Sequence, residues 1–257
     1  MEILSGPDAA FIWCFALGLT LFAGVVKGVV GFALPTIMIS GLGSVMAPEL
    51  ALAGLILPTA VANIWQALRQ GIGPAWQSLR RFRVFLVAGG VTLVVAAQMV
   101  PLLSHAVLYL LIGVPVTLYA GSMLLGRNLR LPPNPGKRLE AGIGMLAGAM
   151  GGLTGVWGPP TVAMLTALDT EKREQVRIQG VIFGLGAILL AAAHVGSGVL
   201  RAETLPFSLA LLPPTVLGIW LGFSIQDRIN QRMFRKATLI VLLLAGINLL
   251  RRGVLAV

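Results

Sequence analysis

Lys27 is the one formally charged side chain inside a long apolar run of this sequence. An ammonium withdrawn from water without a partner is costly, so a lysine there invites a functional reading. The nine carboxylates offer it no neighbour in sequence. Glu2, Asp8, Glu49, Glu140, Asp169, Glu171, Glu174, Glu203 and Asp227 all lie near the N-terminus or in polar connections. Membrane cation pathways and proton relays place Asp or Glu within the bundle, and this sequence does not. What remains is a positive charge available to an anion. The competing reading is that Lys27 snorkels to the interface at the end of the span Ala9–Val26.

Other groups could serve the same chemistry. Asn63 and Gln66 stand three apart in one apolar run, hence on one helix face, and would either glue helices together or touch a ligand. Thr154 and Trp157 supply a hydroxyl and an indole N–H that can donate to an oxyanion, although Trp157 also suits an interfacial belt. Gly28, Gly31, Gly155 and Gly158, with Pro159, would let backbone approach a ligand; close helix packing is the alternative use of such glycines. Arg177 opens a span, where it could reach the site or anchor the helix end. The two histidines, His105 and His194, are far apart, Cys14 is the lone cysteine, and no nucleophile–base set, phosphate loop or metal-ligand cluster is present. An enzyme, a metal or a cofactor is therefore not expected.

The elements that would position these groups are two interrupted apolar runs. Shifting the chain by 124 positions superposes Ala23, Gly24, Gly28, Gly31 and Pro35 on Ala147, Gly148, Gly152, Gly155 and Pro159. Interior Gly and Pro cost a helix about 1 and 3 kcal/mol, and irregular backbone at membrane depth persists only where protein or a cavity surrounds it. Paired interruptions in two halves are the signature of a transporter's central site. Composition agrees: 57% of the 257 residues are hydrophobic, 11% are charged, and the mean hydropathy is +0.91. The chain reads as an all-α polytopic membrane protein of about eight main segments in two four-segment repeats. Each repeat opens with a broken or re-entrant helix. Residues 1–126 form the N-terminal repeat, 127–138 a Pro-rich basic linker, and 139–257 the C-terminal repeat. The N-terminus has no basic n-region, so no removable signal peptide is expected.

The net charge of +10 is scattered over short connections, which suits orientation in a bilayer rather than nucleic acid. If each broken run enters and leaves on one side, the connections at 69–83, 127–138, 169–177 and 226–236 share a side and hold 15 basic residues. Arg201, Arg251 and Arg252 then face the other. A single crossing of each run gives 11 against 7. The first arrangement obeys the positive-inside rule better and makes the repeats inverted, with both termini outside.

The motifs Lys27-Gly28-Val29-Val30-Gly31-Phe32 before Pro35, Asn63-x-x-Gln66, Gly151-Gly152 through Gly158-Pro159-Pro160, and Arg177 at the next span resemble the sulfite exporter TauE/SafE family, also called the toluene-sulfonate uptake permeases. Val29-Val30 and Ala33-Leu34 depart from the glycine-richer first motif of many members. The resemblance implies a small anionic substrate (sulfite, a sulfonate or a carboxylate), a bacterial inner-membrane location and substrate contacts at Lys27, Gly28, Gly31, Phe32, Asn63, Gln66, Thr154, Gly155, Trp157, Gly158, Pro159 and Arg177. The expected function is secondary transport by alternating access. A channel-like anion pore or a non-transporting structural or sensory subunit are the alternatives. The expected partners are the anion and the bilayer, without nucleic acid; a homodimer is left open.

Overall fold

The first interrupted run places its break later than the glycine pattern alone suggests. In the computed structural model, which describes residues 9–99, 105–127, 131–132, 136–154, 158–196 and 202–255, helix α1 (Ala9–Val30) continues through Lys27 and Gly28. The chain leaves helical geometry only at Gly31, Phe32 and Ala33 before α2 (Leu34–Leu42) begins. Gly31 has φ +88° and Ala33 φ 77°. The left-handed region is natural for glycine and strained for alanine. Pro35 does not break a helix; it stands in the first turn of α2, where its missing N–H is no loss.

The later elements are α3 (Pro48–Leu68), α4 (Ile72–Arg81), α5 (Arg83–Met99), α6 (His105–Leu124), α7 (Lys137–Thr154), α8 (Gly158–Ala167), α9 (Lys172–Gly196), α10 (Leu205–Ala210), α11 (Leu212–Arg228) and α12 (Gln231–Leu255). Among the described residues all regular structure is helical. Among the described residues four stretches are long and apolar enough to cross a membrane: Ala9–Val30, Leu50–Leu68, Leu205–Arg228 and Gln231–Leu255. Shorter apolar helices cover Arg83–Ala96 and Gly113–Leu124. The protein is thus an all-helical, multi-pass membrane protein. Two details differ from the sequence reading. The connection after α3 contains α4, whose exposed Ile72 and Trp76 share one face and whose last turn holds Arg80 and Arg81; cations there complement the helix dipole. The connection read at 226–236 is partly helical, because α12 begins at Gln231 and includes Arg232, Arg235 and Lys236.

The chain forms two compact units that interleave it. The first holds Met1–Ala75 and Val176–Asn230; the second holds Trp76–Gln175 and Gln231–Val257. In the first unit α2 runs back along α1, since a Cβ on Gly41 would meet the Leu19 side chain. Helix α1 also lies on α11 with almost no side chain between them. A Cβ on Gly24 would stand 2.9 Å from the Thr215 carbonyl, and one on Gly28 would stand 2.6 Å from that of Ile219. Helix α3 contains Pro58, which cannot donate to the Gly54 carbonyl four residues earlier. Ser208 on α10 makes up the loss: its Oγ donates to Gly54 O at 3.3 Å and accepts from Leu57 N at 3.3 Å. Trp65 and Phe223 close the α3–α11 contact edge to face, 5.6 Å between centroids.

The second unit repeats the close crossing in α5 and α7. A Cβ on Gly144 would stand 2.6 Å from the Phe85 carbonyl, and one on Gly148 would strike that of Gly89. Glu140, buried in the first turn of α7, accepts from the Phe85 amide at 3.3 Å and from Arg81 Nη1 at 3.4 Å. It thereby satisfies an orphan N–H at the start of α5. Helix α6 packs on α12 through Gly246, where a Cβ would stand 2.5 Å from Thr117 Oγ1. The start of α12 is tied down by Arg235 to Asp169 at 3.0 Å and by Gln231 Nε2 to Thr170 O at 2.9 Å.

Candidate anion-binding site

The break after α1 leaves terminal carbonyls that no continuing helix can satisfy. Amide side chains from α3 and α9 converge on them. Gln66 Nε2 donates to Gly31 O at 3.0 Å and to Val176 O at 2.5 Å. The Gln179 amide, oriented as its surroundings require, donates to Gly31 O at 2.9 Å and Val30 O at 3.1 Å. Gly31 cannot carry a side chain here, because a Cβ would collide with the Gln179 amide.

Lys27 lies one turn before the break and is 2% exposed. Its Nζ donates to Asn63 Oδ1 at 2.6 Å and, at the long distance of 3.4 Å, to Gly31 O. The Phe183 ring centroid stands 5.9 Å from Nζ, within cation–π range. Asn63 in turn donates through Nδ2 to the Phe183 carbonyl at 3.3 Å. Among the described residues Lys27 has no carboxylate partner. Its position in the last turn also complements the negative end of the α1 dipole. Lys27 therefore does not snorkel; it is held inside the unit by neutral dipoles. An ammonium has three N–H groups, and one short bond and one long one leave capacity for a further acceptor.

A polar layer closes the same end of the unit. Arg69, just past α3, donates to Gln226 Oε1 at 2.7 Å and pairs with Asp227 at 2.6 Å, with its guanidinium 4.0 Å from the Phe223 centroid. Gln226 Nε2 reaches Val29 O at 3.3 Å. Arg177 donates to Gln70.

The structure thus brings together Lys27, Gly31, Asn63 and Gln66, with Phe32 buried in the break itself and Arg177 in the terminal layer of the same unit. Gly28 faces α11. Gly158 and Pro159 open α8 in the second unit. Gly155 and Trp157 lie outside the described residues, as does the Thr154 side chain. Sequence reasoning passed over Gln179 and Phe183. Gln179 carried the signal that singled out Asn63 and Gln66, an amide inside an apolar helix. Phe183 carried none, since only its place beside Lys27 makes it notable.

The family model described as sulfite exporter TauE/SafE matches residues 16–249. The chain belongs to that family. No curated protein and no solved structure matches it. TauE/SafE is a transporter family, and membership implies a protein embedded in the membrane that transports small sulfur-containing anions.

Proposed function

We propose that the protein is a secondary transporter of sulfite or a small organosulfonate, working by alternating access, with Lys27 as the counter-charge for its substrate. The observation that carries this reading is the buried Lys27, held by Asn63 and the break carbonyl and not by a carboxylate. A carboxylate would neutralise the ammonium permanently. An amide oxygen holds it while leaving its charge for an anion to balance. Phe32, Gln66, Gln179 and Arg177 complete the site in the first unit.

The fold of α2 back along α1 supports a first broken run that enters and leaves on one side. With that path the basic connections gather in the cytoplasm, the repeats 1–126 and 139–257 are inverted about the linker, and both termini face outward. The membrane is the bacterial inner membrane, and a homodimer is the assembly to test.

Substitution of Lys27 tests the function. One charge-assisted hydrogen bond is worth about 1.5–3 kcal/mol, or roughly ten- to hundred-fold in affinity. Lys27→Met should lose that affinity for sulfite or a sulfonate while remaining inserted and folded, because Met fills similar volume without a partner. Lys27→Arg should keep binding but change selectivity, a fork replacing a point charge. Calorimetry on purified protein and counterflow in liposomes measure both, and saturable counterflow separates a carrier from a pore. Affinity of Lys27→Met within twofold of wild type would place the site elsewhere.

A further inference from the structure

Hydroxyls in membrane helices often turn back onto the carbonyl one turn earlier. This chain does so repeatedly. Thr215 Oγ1 donates to Leu211 O at 2.7 Å, Thr92 Oγ1 to Ala88 O at 2.8 Å and Ser224 Oγ to Trp220 O at 2.9 Å. Thr20 on α1 and Thr59 on α3 are exceptions. Both are buried, at 0% and 5% exposure, and neither hydroxyl has a hydrogen-bond partner. A buried hydroxyl in that state calls for an explanation, and water or an ion is the usual one.

Their register supplies a reason. Thr20 precedes Lys27 by seven residues, two turns that return to within about 20° of the same direction. Thr59 precedes Asn63 by four residues and Gln66 by seven, and so shares their face. Lys27 meets Asn63, and Gly31 meets Gln66, so α1 and α3 run in the same direction. Both threonines therefore lie on the same axial side, Thr59 about 6 Å along the axis from Asn63 and Thr20 about 10 Å along it from Lys27 at 1.5 Å per residue. The polar groups form a ladder away from the break: Gln66, then Lys27 with Asn63, then Thr59, then Thr20. Gln66 Oε1, at the other end, is also buried and without a partner.

We propose that Thr59 and Thr20 form a second, transient oxyanion station on the path to the Lys27 site, their hydroxyls replacing part of the anion's hydration as it moves along the α1–α3 side of the first unit. The direction of the path rests on the Lys27 site proposed above, while the station itself rests on the two hydroxyls. Thr117, which stands against Gly246, and Thr238 in the second unit also lack a partner, but the buried ammonium lies in the first unit.

Cysteine accessibility tests the station without requiring Lys27 to bind anything. In a Cys14→Ser background, Thr20→Cys and Thr59→Cys are exposed to a small anionic sulfonate-bearing methanethiosulfonate reagent in right-side-out and inverted vesicles. Phe22→Cys and Ile64→Cys, on exposed apolar positions of the same helices, and Thr117→Cys serve as controls. Both station cysteines should react at least tenfold faster than all three controls. Excess isethionate should slow them, and Lys27→Met should leave them reactive. Station cysteines no faster than the controls would overturn the proposal whatever Lys27→Met does to affinity. The isosteric Thr59→Val and Thr20→Val variants give a second readout: a several-fold fall in transport rate with an unchanged dissociation constant is expected. An unchanged rate in the double variant would equally overturn it.

Discussion

Two glycine crossings, α1 on α11 and α5 on α7, are built alike and differ in what they carry. In each, backbone lies against backbone, so that a Cβ on Gly28 or Gly144 would stand 2.6 Å from a carbonyl oxygen across the crossing. At the α5–α7 crossing Thr92 bonds to Ala88 O on its own helix and to Met145 O across the crossing at 3.1 Å, and Glu140 accepts from the Phe85 amide. At the α1–α11 crossing the neighbour of Gly28 is Lys27, and the helix ends three residues later in a break braced by two glutamines. The glycines are therefore architecture common to both units. Among the described residues the buried ammonium is what sets the first apart, and the contrast teaches that repeated glycines and chemistry can be separate properties of one motif.

The largest test of this separation is a bulky residue at matched places. Gly28→Leu and Gly144→Leu each drive a side chain into opposing backbone, and overpacking of that kind costs about 1–3 kcal/mol or more. Both variants should show a comparable fall in folded yield and melting temperature. If Gly28→Leu folds normally yet loses substrate affinity, Gly28 belongs to the site and the two crossings are not equivalent.

A smaller and more selective effect is expected at Gly31. Gly31→Ala forces an L-residue to φ +88° and pushes on the Gln179 amide, at a cost of about 1–2 kcal/mol. Ala33 tolerates the same region next door, so the protein should still fold. Substrate affinity by calorimetry should fall several-fold, and by more than the stability change accounts for. Unchanged affinity would reduce the break to a turn between helices.

The smallest effect sharpens the comparison from the other side. Gly142 in α7 faces open space, with nothing within 4 Å of an added Cβ. Gly142→Ala should raise stability by about 0.5–1 kcal/mol through helix propensity and leave affinity unchanged. A destabilised Gly142→Ala would mean that α7 needs glycine beyond its crossing with α5.

Much of the fold was legible because hydropathy marks helices that need a bilayer, and the lone Lys27 was legible because nothing else in the apolar runs is charged. The amide pair Asn63 and Gln66 was visible for the same reason, though not what it holds. The position of the break was not legible. Gly28 looks like a helix breaker in sequence, yet its cost of about 1 kcal/mol is offset by contact with Gly222 and the Ile219 carbonyl across the crossing. That contact lies 194 residues away in the chain for Gly222, beyond any local pattern. The interleaving of the two units was hidden likewise, since periodicity states which face is apolar and not which helix covers it. Gln179 was within reach of the sequence and was passed over beside the more conspicuous Arg177.

Ser208 has a mechanical consequence. Pro58 removes one rung from the hydrogen-bond ladder of α3, and a single hydroxyl from another helix bridges the gap with two bonds of 3.3 Å. A helix missing a rung bends at that joint more cheaply than anywhere along its intact turns. The joint falls between the Pro48 end of α3 and the segment bearing Asn63 and Gln66. That segment can tilt as a lever, exchanging bonds at one serine while the turns that carry Asn63 and Gln66 stay whole. Compliance is thereby concentrated a turn and a half from the lysine's closest partner, in a part of the helix where motion disrupts none of the contacts that define the site.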